Sequence, residues 1–335
     1  MKGTGSYAPC NIVTNDDLAT IVDTSDEWIR TRTGICERRI TKNENTSQLA
    51  YEAGRRALDN AKVSADTVDL LVCATLTPDS FTPATACIVQ DLLGANHAVA
   101  YDLNAACTGF VYGIATAMQF IETGVYKNAL VIGAETLSKI IDWTDRNTCV
   151  LFGDGAGAVY LERSEKESCI LDFALSADGS KREMLECDAM PIINPFMEKE
   201  AVETSTQENV ELVASSKAQL QAIHMLGGEV FKFAVKAIVG SINEVLEKQN
   251  LTMDDIDWIV PHQANIRIIE SAAKLLKADI GKFYMNLERY GNTSSASIAI
   301  ALDELNQEGK LKKGQKVLLV GFGGGMTSGA ILAEW

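Results

Sequence analysis

Residues 57–72 read "ALDNAKVSADTVDLLV" and residues 245–260 read "VLEKQNLTMDDIDWIV". The two stretches align without a gap at an offset of 188 residues. Each has the pattern of a helix end, a polar turn and a buried strand entered through Val-Asp or Ile-Asp, at Asp69 and Asp257. The offset recurs further on, where "NALVIGAE" (128–135) matches "KVLLVGFG" (316–323) and Gly133 falls over Gly321. One matching strand would mean little, but two at the same offset mark an internal duplication. The chain therefore reads as two copies of an α/β unit, residues 1–170 and 171–335, each alternating helix with buried strand. Residues 181–210 ("KREMLECDAMPIINPFMEKEAVETSTQENV") are acidic and weakly periodic, with two of the six prolines. They read as a long excursion of the second half, of lid or cap type.

Composition narrows the class. The chain has 335 residues, 47% of them hydrophobic, and a mean hydropathy of +0.02, enough for a large core and far from a disordered composition. Eight scattered cysteines, without a CxxC pair or alternating Cys/His spacing, argue against both a disulfide framework and a zinc site. No leader pattern opens the sequence and no stretch has the length of a membrane span, so a soluble, reducing, cytoplasmic setting is expected. A net charge of −15 and a pI of about 4.7 make nucleic acid a poor partner, and an acidic partner would need a local basic patch.

Between the matched segments lie "AACTGF" (105–110) and "YGNTSS" (290–295), each a turn leading into an apolar helix. Cys107 follows the strand-like "HAVAYDL" (97–103) and precedes a helix paced by Ile114, Met118 and Ile121 and ending near Gly124. An unperturbed cysteine is only about 3% thiolate at pH 7. A favourable helix N-terminus, worth up to about 2 kcal/mol to an anion, would make about half of it nucleophilic. Position alone leaves Cys107 open between a small core residue and a nucleophile.

Three histidines are available as partners. His97 lies in a loop and His224 in an apolar, helix-like run, and both read as solvated or packed side chains. His262 differs, because it follows the second-copy strand through Pro261 and precedes "QANIRIIESAAKLL", with Asn265 placed to cap that helix. It stands at the C-terminal end of a buried strand, where α/β proteins build their sites. Asn292 occupies the turn of the second copy that corresponds to the Cys107 turn; by itself it is also an ordinary Gly-Asn turn. All three fall at corresponding or adjoining turns, so a duplicated fold could bring them to one pocket. "GFGGGMTSG" (321–329) lacks the Gly-Lys-Ser/Thr of a phosphate loop, and "FGDGAG" (152–157) leads into a strand, not a helix. Such glycines also allow close backbone approach and amides facing an oxyanion.

"AACTGF" with Cys107, "VPHQAN" with His262, "GNTSSAS" with Asn292 and "GFGGGMTSG" together resemble the β-ketoacyl-acyl-carrier-protein synthase III family. The resemblance runs from "TSDEWIRTRTGICERR" (24–39) to residue 335. It implies the thiolase fold, a duplicated α/β unit in five layers (αβαβα), and a homodimer. It also implies initiating condensation in type II fatty acid synthesis: an acyl-CoA acylates Cys107, then malonyl-acyl-carrier protein (malonyl-ACP) loses CO2 and attacks the acyl group. His262 and Asn292 are implied to stabilise the enolate, the amides of Cys107 and Gly324 the oxyanion, and Phe322 to pack beside the pair. No metal or organic cofactor is implied. Trp28, Arg32 and Arg146 are implied as coenzyme A contacts. Lys232 and Lys236 at i,i+4, with Arg267, Lys274 and Lys277 after His262, are expected to meet the acidic carrier protein, against the ordinary reading of a solvated basic face.

Three departures stand out. Thr82, in "SFTPATAC", takes the place of a primer-pocket Phe, so bulkier, branched or medium-chain primers are expected to fit. Gly228, in "MLGGEVFK", stands where a polar residue is usual, and the 181–210 excursion is longer than usual. Competing readings are a secondary-metabolite condensing enzyme using CoA-linked partners, a Cys-His-Asn thioester hydrolase, and a non-catalytic acyl-binding scaffold. The papain-type cysteine context is absent, which weighs against the hydrolase.

Overall fold

The computed structural model describes residues 1–164, 168–189 and 222–335. Its first half runs β1 (Gly3–Tyr7), β2 (Ile12–Thr14), α1 (Asn15–Ala19), α2 (Asp26–Thr33), β3 (Glu37–Arg39) and α3 (Thr46–Ala61). It continues with β4 (Leu70–Ala74), α4 (Thr85–Leu93), β5 (Val99–Leu103), α5 (Gly109–Glu122), β6 (Asn128–Glu135) and β7 (Gly155–Glu162). The second half holds β8 (Ile170–Ser176), β9 (Leu185–Glu186), β10 (His224–Met225), α6 (Gly227–Gln249), β11 (Trp258–Pro261) and α7 (Ile266–Leu276). It ends with α8 (Leu287–Tyr290), α9 (Ala296–Gln307), β12 (Lys316–Gly323) and β13 (Thr327–Glu334).

The duplication is visible in strand pairing. One sheet has the order β1-β7-β6-β4-β5 and the other β11-β12-β13-β8. Strands β4 and β6 pair in parallel with Leu70 opposite Ala129, and β11 and β12 do so with Trp258 opposite Val317. Both partners are shifted by the same 188 residues that relate the sequences. The aspartates that precede these strands bond alike in the two copies. Asp69 accepts from the backbone N–H of Lys127 and Asp257 from that of Lys316, at 2.7 and 2.8 Å. Strand β8 pairs with β13, so a division after residue 170 falls one residue inside it.

Side-chain alternation along the buried strands builds the layers. Leu70, Val72, Ala129 and Val131 share a cluster with α5, α9 and residues Val317, Leu319 and Ile331 of the other sheet. Leu71, Cys73, Leu130 and Ile132 pack on the opposite face against α3 and α4. Ile259, Leu318, Val320 and Leu332 face α6 and α7. The order is therefore helix, sheet, helix, sheet, helix, with α5 and α9 in the shared middle layer. The five-layer αβαβα expectation holds.

Two cross-strand glycine pairs, Gly133–Gly157 and Gly321–Gly329, let the middle helices approach. A Cβ on Gly133 would lie 2.3 Å from the carbonyl oxygen of Ser295, and one on Gly157 would lie 2.5 Å from Ala299 Cβ. The second-half helix α9 is thus seated on the first-half sheet. Two expectations change. His224 lies in the two-residue strand β10 and is exposed, not in a helix, since its partner strand β9 captures it. Of the 181–210 excursion, residues 181–186 form a 3₁₀ turn and β9, while 190–210 lie outside the described residues. Replacing Gly133 with Ala is expected to destabilise the fold by about 1–3 kcal/mol through overpacking at Ser295. Denaturant unfolding measures this, and an unchanged midpoint would contradict the seating.

Candidate active site

Cys107 sits in a 3₁₀ turn, Ala106–Thr108, between the end of β5 and the start of α5. Ala106 takes a left-handed φ of +46°, which turns the chain sharply at the thiol. Thr108 is anchored to the second half, its Oγ1 3.0 Å from that of Thr327. Gly323, at the end of β12, lies directly behind the cysteine: a Cβ there would be 2.7 Å from the Cys107 nitrogen. No larger residue fits there without moving Cys107.

His262 follows β11, its N–H donating to Val320 O at 2.8 Å. Its ring is buried, Nδ1 lies 2.6 Å from Ser297 Oγ, and Phe322 packs edge-on with ring centres 5.0 Å apart. Burial lowers its pKa to about 3, so the imidazole is neutral under ordinary conditions. Asn292 is joined to the Leu151–Gly153 segment by backbone bonds of 2.8 and 2.9 Å. Its Oδ1 accepts from the Ser294 N–H at 2.9 Å, which orients the amide and leaves the Nδ2 donors for another partner.

The segments that carry the three residues adjoin one another. Cys107 abuts Gly323, whose neighbour Phe322 touches His262; a Cβ on Gly109, two residues after Cys107, would lie 3.4 Å from Ser295 Cβ in the Asn292 turn, and Ser294 N–H holds Asn292. The thiol itself corrects an expectation. Burial drives its pKa up to about 12, Ser294 pulls it down, and the charge of Glu135 raises it again. The cysteine lies buried in the turn ahead of α5, and burial is the largest influence on its thiol.

Several contributors carry no local sequence signal. Glu135, fully buried, receives Thr77 Oγ1 at 2.6 Å and Ser295 Oγ at 2.7 Å, and so binds the first-half sheet to the Asn292 turn. Arg38, also fully buried, donates to Val150 O at 2.8 Å and to Asn15 Oδ1 at 2.9 Å, supporting the segment that carries Asn292. Gly323 is hidden within a Gly-rich run in which the family resemblance points only to Phe322 and Gly324.

At the surface, the Arg32 and Arg146 guanidiniums lie 4.5 and 5.1 Å from the Trp28 ring centre. Asn265 caps α7 and donates to Arg32 O at 3.1 Å, joining that cluster to the helix after His262. Lys236, Arg267, Lys274 and Lys277 are exposed without an ion pair among the described residues, whereas Lys232 pairs with Glu229 at 2.9 Å. Lys277 caps α7 rather than lying within it. Gly228 is the second residue of α6, where an added Cβ would meet none of the described residues within 4 Å, and Thr82 is exposed, next to the 83% exposed Phe81. Gly324, on the next turn, would bring a Cβ to 3.6 Å of Ala106 Cβ.

Residues 101–179 match the family 3-oxoacyl-acyl-carrier-protein (ACP) synthase III, and residues 246–335 match its C-terminal family. A β-ketoacyl-acyl-carrier-protein synthase III of Clostridium novyi is 55% identical over 100% of this chain and 98% of its own. The chain belongs to the β-ketoacyl-acyl-carrier-protein synthase III family. The corresponding protein of Clostridium acetobutylicum is 54% identical over 99% of this chain and 97% of its own. The crystal structure of 3-oxoacyl-acyl-carrier-protein synthase III from Aquifex aeolicus superposes with a TM-score of 0.89 at 45% identity, covering 100% of this chain and 99% of that one. The chain is thus a condensing enzyme of the acyltransferase class with the thiolase-type fold of these synthases. Among the described residues no helix is long and apolar enough to cross a membrane.

Peptide-resolved alkylation of Cys107 by iodoacetamide is expected to accelerate with pH beyond pH 9 without levelling. A plateau near neutrality would contradict the desolvated thiol.

Proposed function

We propose that the enzyme carries out the initiating condensation of type II fatty acid synthesis, joining an acyl-CoA primer to malonyl-ACP through an acyl-Cys107 intermediate. The convergence of Cys107, His262 and Asn292 from two halves of the chain carries this reading. In the first step the Cys107 sulfur attacks the acyl-CoA carbonyl, the C–S bond to CoA breaks, and the thiol proton leaves on the CoA sulfur. Malonyl-ACP then releases CO2, and the electron pair left behind forms an enolate whose oxygen accepts hydrogen bonds from neutral His262 and the Asn292 amide. Its carbon attacks the acyl-enzyme, and the oxyanion lies toward the amides of Cys107 and Gly324. Collapse expels the sulfur, which regains a proton; burial favours that protonated form. Decarboxylation drives the reaction, and neither a metal nor an organic cofactor takes part.

Trp28 with Arg32 and Arg146 forms a cationic, aromatic platform suited to the CoA nucleotide and phosphates. The exposed Lys232, Lys236, Arg267, Lys274 and Lys277, on two mutually packed helices beside it, would receive the acidic carrier protein. The halves 1–170 and 171–335 supply the nucleophile and the enolate-stabilising pair respectively. Assembly as a cytoplasmic homodimer accompanies this reading: β5 is an edge strand, and exposed Phe81 and Val99 would be covered by a second copy. Thr82 would reach a primer pocket only across that interface, admitting branched or medium-chain acyl groups.

Intact-protein mass spectrometry after mixing with an acyl-CoA panel is expected to show acylation, with branched primers alongside acetyl, and none in Cys107→Ser. Asn292→Ala should retain the adduct while condensation with malonyl-ACP falls about 10²–10³-fold. Free acid released without extender, or preference for malonyl-CoA over malonyl-ACP, would overturn the assignment.

A further inference from the structure

The imidazole of His262 is held at more points than a side chain that merely needs to be present. Its backbone N–H donates to Val320 O, and the next residue, Gln263, is locked by its own side chain. Gln263 Nε2 donates to Pro261 O at 2.8 Å and Tyr284 O at 3.1 Å, while Oε1 accepts from Asn286 N–H at 3.0 Å. Phe322 restricts the ring from one side. Ser297, in the first turn of α9, closes the arrangement with Oγ 2.6 Å from Nδ1.

We propose that Ser297 is a positioning residue that fixes His262 in the tautomer with its proton on Nε2, so that the ring presents a donor to the substrate oxygen. This rests on the role of His262 proposed above. Ser297 Oγ has two neighbours among the described residues, His262 Nδ1 and, at 3.4 Å, the backbone N–H of Gln263. The amide can only donate, so it occupies a lone pair of the hydroxyl. The single hydroxyl proton then has one acceptor, Nδ1. Were Nδ1 protonated, Oγ would accept from both sides and its own proton would face no acceptor in a position only 2% exposed, an arrangement folded proteins avoid. A hydrogen bond at one imidazole nitrogen decides which atom carries the proton at the other. With burial keeping the ring neutral, the Nε2–H form follows.

The test uses the full-length enzyme labelled with ¹⁵N-histidine, in which only three histidines contribute signals and His262→Ala assigns the third. At neutral pH the His262 spectrum is expected to show a protonated Nε2 and an unprotonated, hydrogen-bonded Nδ1. In Ser297→Ala that hydrogen-bond shift disappears, the other tautomer gains population, and malonyl decarboxylation drops about 10–100-fold, as for other supporting partners of a functional imidazole. Acylation of Cys107 should persist. A proton on Nδ1 in the unmodified enzyme would overturn the proposal, as would Ser297→Ala with unchanged tautomer and decarboxylation. Should that variant fail to fold, the unmodified spectrum alone decides. Failure of Cys107 to acylate would defeat the functional reading instead, leaving the tautomer result intact.

Discussion

Ser295 holds the two halves of the molecule together beside the proposed site. Its carbonyl presses on Gly133 of the first-half sheet, and its hydroxyl is shared between Ala74 O at 2.8 Å and the buried Glu135 carboxylate at 2.7 Å. Burial raises the pKa of Glu135, while Thr77, Ser295, Leu76 and Thr75 donate to it and favour the charged form. The turn bearing Asn292 is therefore a second-half element bolted to first-half strands, and α9 beyond it carries Ser297 to His262. Cys107 makes the reciprocal crossing, as a first-half residue wedged against Gly323 and tied through Thr108 to Thr327.

This mutual crossing explains why a duplication became one site and not two. Each half supplies an apolar helix to a common middle layer, and the turn at the start of each helix faces the C-terminal strand ends of the other half. At the 188-residue offset Asn104 falls over Asn292 and Cys107 over Ser295, so the two turns share an amide and differ where the first copy has a thiol and the second a hydroxyl. In the proposed function this gives a division of labour: one copy presents the nucleophile, the other the hydrogen-bond donors. Burial serves both roles, because it keeps His262 neutral as a donor and returns the expelled sulfur to its protonated form.

Much of the fold was legible because buried strands preserve register. The 188-residue offset read from four short segments is the offset of the strand pairs themselves, and Asn265 caps its helix as its position suggested. The proposed site residues stand, as their sequence context suggested, at turns between buried strands and helices. What escaped depends on three-dimensional neighbours. The apolar run around His224 carries a helical rhythm, yet pairing with β9 prevails. The direction of the Cys107 shift depends on solvent exclusion by elements far away in sequence. Arg38, Glu135 and Ser297 act through partners 112, 160 and 35 residues distant, which no local pattern encodes. Thr82 has the sequence position of a pocket residue, but it is exposed in a single chain, and no sequence pattern shows what covers it.

Crystallography of the acyl-enzyme with a malonyl thioester analogue that cannot decarboxylate addresses the shared site most directly. The expected map shows the acyl carbon bonded to Cys107 Sγ and the analogue carbonyl oxygen about 3 Å from both His262 Nε2 and Asn292 Nδ2. An analogue bound in a cavity that excludes either His262 or Asn292, with Cys107 acylated elsewhere, would contradict it.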